Sequence, residues 1–325
     1  MKSNILIIIF ICGFLYSCNT KSNDPETKIE TIEEKIEEII EEVYSLDYPE
    51  IKYNLVEIKS KTHLNEIVNK YRNDAVMGPA YRKALRTLNR KELQFFRVGQ
   101  NVIIPDTFIL DMRAYSIFPD EYKAAKDIEK IVLIDIEYQC YACYEYGKLV
   151  RFAATNTGSK ANQTEPGMYA FYWKKKENKS TYDSTWIMPY TMNMHKFGTA
   201  MHQYVMPGRP VSHSCLRQFM DDAEWIYYWG RIAIRDENGK ITRQGTPVIV
   251  LNRFDYSRKV GGPWLELITN KSYYSKLPDN PMAVPEAVIT RTQPPMQVKQ
   301  NEVKKIVPEV EPEPVSEPDT DTNKE

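Results

Sequence analysis

The stretch HQYVMPGRPVSHSCLR, residues 202–217, decides how the rest of this chain is interpreted. It contains Cys215 and two of the four histidines, His202 and His213, and a third, His195, lies shortly before it. A thiol reacts as a nucleophile in its thiolate form, which a nearby imidazole promotes. If residues 213–215 belong to a strand, the side chains of His213 and Cys215 point to the same side. The stretch therefore predicts a nucleophilic cysteine beside an imidazole.

Two other interpretations of Cys215 stay open from the residues alone. A structural metal site needs about four ligands rich in thiolates, and no second cysteine lies near Cys215 in the sequence. A zinc ion held by three histidines is also open, although the histidine spacing matches no ligand pattern. The remaining interpretation is an unreactive cysteine in the core. Residue chemistry favours the nucleophile, and neither a metal nor a cofactor is predicted.

Apolar runs on both sides of this stretch predict a mainly β fold. Residues typical of strands occupy 131–137, 144–150, 168–173 and 245–250. A helix is predicted soon after Cys215, because four apolar side chains share one helical face and Gly230 follows as a stop signal. The four side chains are those of Phe219, Ala223, Ile226 and Tyr227.

Several short motifs occur in a fixed order around Cys215. They are Asn156-Thr157-Gly158, Thr164-Glu165-Pro166-Gly167, Met188-Pro189-Tyr190, Ser212-His213-Ser214-Cys215-Leu216-Arg217 and Gly245-Thr246-Pro247-Val248-Ile249. Together with His202, this arrangement resembles the L,D-transpeptidase (YkuD-like) catalytic domain. The resemblance implies a mixed β-sandwich of mostly antiparallel strands over residues 124–277. It also implies an enzyme that acts on the stem peptides of peptidoglycan.

The resemblance implies a role for each residue of the site. Cys215 would attack the carbonyl of a stem tetrapeptide and form a thioester, and His202 would be the base that takes the thiol proton. His213 would shape the site by hydrogen bonding, or replace His202 as the base. The backbone amides of Ser214 and Cys215 would stabilise the oxyanion. Substrate contacts are expected from Arg217, from Tyr190 in the cleft wall and from Ser212, with pairing to a buried acid as the alternative for Arg217.

The acceptor of the acyl group stays open in the sequence. Transfer to an amine of a neighbouring stem gives a 3-3 cross-link, and transfer to a protein lysine anchors that protein to the wall. Transfer to water makes the protein an L,D-carboxypeptidase or endopeptidase. The family has Gly directly before the nucleophile, where this chain has Ser214, and a non-glycine residue at positive φ costs about 1–2 kcal/mol. A catalytically degenerate, wall-binding lipoprotein is therefore a further alternative.

The first residues of the chain are typical of a targeting segment. A basic Lys2 precedes an apolar run over 5–15, which is too short to span a bilayer as a mature helix. The run ends in Leu15-Tyr16-Ser17-Cys18, which resembles the lipobox of bacterial lipoproteins. We expect a signal peptide over 1–18, lipidation at Cys18, and a protein of the bacterial cell envelope that is anchored to a membrane and faces the periplasm.

Three further segments complete the domain organisation. Residues 19–50 are predicted to be an acidic helical spacer. Residues 51–110 contain two helices and a short strand, which resemble the second half of a LysM module and imply binding of N-acetylglucosamine-containing glycan; a helical pre-domain is the alternative. Residues 278–325, rich in Pro and Glu, are predicted to be a disordered tail.

Charge and the other cysteines narrow the function classes. The chain has 43 Lys and Arg against 44 Asp and Glu, a formal net charge of -1, so nothing concentrates positive charge as a nucleic-acid binder would. Nucleic acid is therefore not an expected partner. Cys140 and Cys143 are predicted to lie in the connection between two strands. We expect them to form a local disulfide or to remain as two free thiols.

Overall fold

The computed structural model describes residues 48–180, 183–195, 198–258 and 261–289. The predicted signal peptide, the lipidation site Cys18, nearly all of the acidic spacer and the tail beyond residue 289 lie outside the described residues. None of the helices within the described ranges combines the length and apolar character that crossing a bilayer requires.

Residues 53–105 fold into a β-α-α-β module. Strand β1 (Tyr53–Glu57) pairs antiparallel with β2 (Asn101–Pro105), and helices α1 (Lys61–Val68) and α2 (Met77–Asn89) lie between them in sequence. Helix α1 begins at Ser60, whose side chain accepts a hydrogen bond from the backbone of the first turn. The sequence predicted both helices and β2. It missed β1, because most of this strand is exposed and lacks an apolar pattern.

A five-stranded sheet forms the centre of the second domain, which is the span 124–277 of the sequence prediction. Its order is β5-β4-β3-β13-β6, with the bounds Lys148–Ala154, Cys140–Glu145, Lys130–Asp135, Pro247–Leu251 and Gly167–Ala170. Strands β3 and β4 are buried along nearly their whole length, which explains their continuous apolar sequence. Strand β13 runs parallel to β3, whereas the other pairs are antiparallel, so the sheet is mixed.

A second sheet packs against the first and carries the predicted site. Its order is β10-β9-β8-β7, with the bounds Leu216–Gln218, Ala200–Gln203, Ile187–Asn193 and Trp173–Lys179. Helix α3 (Met220–Trp229) follows β10 directly, and Ile226 of this helix joins a core with Val132, Met201 and Leu216 from both sheets. The predicted mainly β, mixed sandwich is confirmed.

The remaining regular elements are short. They are the strand pair β11 (Ile234–Arg235) and β12 (Ile241–Arg243), and 3-10 helices at Leu93–Phe95, Met112–Tyr115, Lys123–Ala125, Pro263–Glu266 and Pro281–Ala283.

Three sequence predictions about these elements are wrong. Residues 168–173 do not form one strand, because the chain leaves the first sheet after β6 and enters the second sheet as β7. Cys140 and Cys143 lie within the one strand β4, where residues three apart point to opposite faces. They do not join two strands, and they belong to different cores, so of the two predicted alternatives the local disulfide is ruled out and the two free thiols are confirmed.

The third wrong prediction is the boundary of the tail. Residues 278–289 pack along β6 rather than being disordered. The backbone of Met168 donates to the carbonyl of Pro285 (2.8 Å) and accepts from the amide of Ala287 (3.1 Å). The Tyr122 hydroxyl donates to the carbonyl of Pro278. A proline-rich segment can be ordered in this way when a sheet edge supplies partners for its backbone.

The module is joined to the second domain by a common core. Ile51, Leu88 and Ile103 from the module lie in the same apolar cluster as Ile131 and Leu133 of β3. The module also has a small core of its own. Its remaining apolar face packs against the five-stranded sheet. Residues 51–110 and 124–277 therefore do not form two separate bodies.

Asn156 ties three segments together at this junction. Its side chain is buried, donates to the carbonyl of Arg90 (2.9 Å) and accepts from the amide of Gly208 (2.9 Å). Its backbone exchanges two hydrogen bonds with the backbone of Arg217. One side chain thus fixes the module, the loop before the predicted nucleophile and strand β10 relative to one another.

We expect Asn156→Ala to lower the free energy of unfolding by about 2–4 kcal/mol, because it leaves the buried carbonyl of Arg90 and amide of Gly208 without this partner. Chemical denaturation measures the change. The exposed Asn238→Ala is the matched control and should change stability by less than about 0.5 kcal/mol. Equal effects of the two substitutions would contradict the role of Asn156.

Candidate active site

Cys215 lies in a turn immediately before β10, not within a strand. Ser214 has a φ of 77°, a left-handed conformation that breaks the alternation of side chains assumed in the sequence prediction. The expectation that His213 and Cys215 share one side of a strand is therefore wrong. The positive φ expected at Ser214, where the family has Gly, is present.

Two hydroxyl groups hold this turn in place. The buried Ser212 hydroxyl donates to the carbonyl of Cys215, and the Thr164 hydroxyl donates to the carbonyl of Ser214 (3.0 Å). Because the C=O and N–H of a trans peptide point in opposite directions, the Cys215 amide faces away from Thr164. The structure thus places Ser212, predicted to bind substrate, in a positioning role, and gives Thr164 a role that the sequence analysis missed.

The sulfur of Cys215 is partly accessible and lies 3.7 Å from the carbonyl oxygen of Gly198, to which the thiol donates. A carbonyl acceptor suits the protonated thiol and repels a thiolate. To act as a nucleophile, Cys215 must give up this hydrogen bond together with its proton.

His202 lies in β9 and is only 4% exposed. Its Nδ1 is 2.9 Å from the carbonyl oxygen of Gln203. A carbonyl only accepts hydrogen bonds, so this contact places the proton on Nδ1 and leaves Nε2 as the basic nitrogen. Burial, and to a smaller extent the charge of Arg217, lower the pKa of His202 to about 4. The structure therefore holds a neutral imidazole with a defined tautomer.

Parallel pairing of β9 with β10 brings His202 next to Arg217. In this register Arg217 lies opposite His202 and Leu216 lies opposite Met201. Leu216 and Met201 point into the core between the sheets, so His202 and Arg217 share the other face of the sheet. Cys215 directly precedes this pair of strands.

Arg217 is held by the loop that follows β9. Its guanidinium donates to the carbonyl of Val205 (3.0 Å) and stacks on the ring of Tyr204, 4.7 Å from the centroid. Burial lowers the pKa of Arg217, whereas the nearby Tyr204 and Cys215 act in the opposite direction. Among the described residues, no carboxylate forms an ion pair with Arg217. Tyr204 was missed in the sequence.

The hairpin between β7 and β8 covers His213. The Trp186 ring lies 5.5 Å from the His213 ring and 6.2 Å from that of Tyr204, measured between centroids. Burial and the charge of Arg217 lower the pKa of His213. The only sequence signal for Trp186 is its position just before the Met188-Pro189-Tyr190 motif. The site is therefore lined by two imidazoles with lowered pKa values and two large aromatic rings.

Tyr190 does not join this group. Its hydroxyl donates to Glu224 of α3 (2.6 Å), and its ring contacts Tyr227 and Tyr228 of the same helix. The structure thus places Tyr190 on the helix side of the second sheet, opposite the face shared by His202 and Arg217. A metal site also lacks support in the described ranges, where no three His, Cys, Asp or Glu side chains are grouped as metal ligands.

Residues 129–250 match the YkuD family, the L,D-transpeptidase catalytic domain. This segment lies within the span 124–277 predicted from the sequence, and the match confirms the resemblance there. The comparison with curated proteins gives no match. The LysM resemblance of residues 51–110 stays a prediction.

Solved structures similar to this chain include three bacterial L,D-transpeptidases. That from Mycobacterium smegmatis has 18% identity and a TM-score of 0.31 over 38% of this chain and 59% of the other. That from Stackebrandtia nassauensis has 21% identity and a TM-score of 0.32 over 39% and 57%. That from Mycobacterium tuberculosis H37Rv has 19% identity and a TM-score of 0.31 over 38% and 58%. This chain thus spans less than two thirds of the length of these structures.

The positive φ of Ser214 predicts the effect of restoring glycine. We expect Ser214→Gly to raise the free energy of unfolding by about 1 kcal/mol, because glycine adopts this conformation without the steric cost that a Cβ imposes. Ser214→Ala is the matched control, since it removes the hydroxyl and keeps the Cβ. Chemical denaturation distinguishes them: a gain in Ser214→Ala equal to that in Ser214→Gly would show that the hydroxyl, not the backbone, is responsible.

Proposed function

We propose that this protein is a peptidoglycan L,D-transpeptidase in which Cys215 forms a thioester with a stem tetrapeptide and passes the acyl group to an amine. The match of residues 129–250 to the L,D-transpeptidase catalytic domain supports this class of reaction. The observation that carries the proposal is the position of a partly accessible Cys215 immediately before β10. In the next residues of the chain, Arg217 of β10 lies opposite His202 of β9.

The proposed acylation starts with proton transfer. Nε2 of His202 takes the thiol proton, and the sulfur attacks the carbonyl that links diaminopimelate to the terminal D-Ala. The C–S bond forms, the tetrahedral intermediate collapses, and the C–N bond breaks as His202 returns the proton to the departing amine. A low pKa at His202 suits the second half of this step, because the imidazolium gives up its proton readily.

Charge stabilisation is assigned to three groups. The guanidinium of Arg217 is held by Val205 and Tyr204. Its positive charge is therefore already fixed in position, and no side-chain ordering is needed when the thiolate forms. The amides of Ser214 and Cys215 remain the proposed donors to the oxyanion. The bonds from Thr164 and Ser212 support this assignment, because they fix the peptide planes of the turn.

The surroundings of the reaction are also part of the proposal. Lipidation at Cys18 would anchor the protein to a membrane of the bacterial envelope, facing the periplasm, and the β-α-α-β module would bind wall glycan. The module has the element order that a LysM-like domain requires. A 3-3 cross-link and attachment of a protein to the wall are the two outcomes with an amine acceptor, and trimming of stems is the outcome with water.

We expect a carbapenem or the tetrapeptide to form a covalent adduct on the wild-type protein, seen by intact-mass spectrometry. Cys215→Ala should give no adduct, because Cys140 and Cys143 are fully buried. Arg217→Ala should slow acylation by about tenfold to a hundredfold, the range for losing one charge-assisted contact, and Arg217→Lys should recover part of the rate. Absence of an adduct on the wild type would contradict the proposed enzyme and favour a wall-binding protein.

The buried His202 predicts the acid limb of the pH profile. Its pKa of about 4 keeps Nε2 unprotonated well below the ordinary value for histidine. We therefore expect the second-order rate constant of carbapenem acylation to fall on the acid side with an apparent pKa near 4. Circular dichroism at each pH checks that the protein stays folded. A fall centred at the ordinary histidine value of about 6.5 would exclude the buried His202 as the base.

A further inference from the structure

A cavity of about 400 Å³ lies where the β-α-α-β module meets the catalytic domain. The module contributes the segment from the end of α2 to the start of β2. The catalytic domain contributes the loop 207–209 and the segment around Trp264. The mechanism proposed above uses none of the residues that line this cavity.

The cavity is lined by three cationic side chains and by no carboxylate. The cations are Lys91, Arg97 and Arg209. None of the ion pairs between described residues involves these three side chains. The carboxylates nearest in sequence are engaged elsewhere, since Glu92 accepts from Gln94 (2.8 Å) and Glu266 pairs with an arginine (2.7 Å). The lining therefore carries three positive charges that form no ion pair with any described carboxylate.

Lys91 is built into the wall of the cavity. Its Nζ donates to the side-chain oxygen of Gln100 (3.0 Å), which also accepts from the amide of Arg97 (3.2 Å). Its stem lies against Gly208, where an added Cβ would be only 2.9 Å from the Cβ of Lys91. Burial and the nearby charge of Arg97 lower the pKa of Lys91 to about 8. The negative charge of a bound anion would offset both effects, because an opposite charge favours the protonated ammonium.

The same loop links the cavity to the active site. Val205 accepts the hydrogen bond from Arg217, whereas Pro207 bridges to the backbone of Lys91 and Gly208 lies against its side chain. Loop 204–209 thus contacts Arg217 through Val205 and lines the cationic cavity with Pro207 and Gly208.

We propose that this cavity is an accessory subsite that binds a carboxylate of the peptidoglycan stem peptide. The inference rests on the proposed function, which supplies a peptide substrate with several carboxylates. Arginine guanidinium groups match carboxylate oxygens with paired hydrogen bonds. Arg97 and Arg209 are both exposed, and Arg97 uses Nη1 to donate to the carbonyls of Gln94 and Phe96, which leaves its Nε and Nη2 for such a pair. An uncharged glycan would leave these cations uncompensated, so the subsite is distinct from glycan binding by the module.

The test measures binding of the tetrapeptide to the full chain by calorimetry, in a Cys215→Ala background that prevents turnover. Combining Arg97→Gln with Arg209→Gln should weaken binding about tenfold or more, the loss expected for a charge-assisted contact. Combining Arg72→Gln with Arg243→Gln removes the same charge from exposed positions outside the cavity and should leave binding unchanged. Lys91 is left intact, because its stem packs against Gly208.

Two further ligands identify the source of the anion. Amidating the carboxyl groups of the tetrapeptide should weaken its binding, and Arg97→Gln with Arg209→Gln should then cause no additional loss. Inorganic phosphate should bind far more weakly than the tetrapeptide. Phosphate binding as tight as that of the tetrapeptide, with the same sensitivity to the two arginines, would overturn the assignment to a stem peptide.

Carbapenem acylation separates failure of the subsite from failure of the enzyme. Carbapenem acylation reports on Cys215, His202 and Arg217, none of which lines the cavity, so Arg97→Gln with Arg209→Gln, in a chain that retains Cys215, should acylate at the wild-type rate. If the wild type is acylated but Arg97→Gln with Arg209→Gln leaves the affinity for the tetrapeptide unchanged, the proposed subsite is wrong and the proposed function stands. If the wild type is not acylated, the proposed function itself is wrong, and the subsite with it.

Discussion

The parallel pairing of β9 with β10 is the constraint on which the site depends. It sets Arg217 beside His202 on one face of the sheet and sends Leu216 and Met201 into the core on the other. Because side chains alternate along a strand, burial of the two apolar residues fixes the position of the two polar ones. The catalytic groups are therefore anchored by the same core that holds the two sheets together.

The turn before β10 shows how strain is balanced locally. Ser214 adopts a positive φ at a cost of about 1–2 kcal/mol. The Thr164 hydroxyl donates to the carbonyl of Ser214, and the Ser212 hydroxyl donates to the carbonyl of Cys215. Each such hydrogen bond contributes about 1 kcal/mol. The cost and the gain are similar in size, which explains how a non-glycine residue can be held at this position.

The β-α-α-β module takes part in the geometry of the site. Asn156 joins Arg90 of the module to Gly208 of the loop and, through its backbone, to Arg217 of β10. The module also shares an apolar core with β3. The module and the loop that holds the guanidinium are therefore anchored to the same side chain, whether or not the module binds glycan.

The sequence by itself determined the chemical groups and the main strands. The order of motifs identified Cys215, His202 and the mainly β class, because residue type and local periodicity are properties of neighbouring residues. Only the tertiary structure decided that Ser212 positions the turn, that Tyr190 faces α3, that Cys140 and Cys143 lie in different cores, and that residues 278–289 are ordered. These outcomes depend on which distant segments pair, as Asn156 does with Arg90 and Met168 with Pro285. Local sequence patterns do not specify such pairings, because the burial that favours them exists only once the sheets have packed.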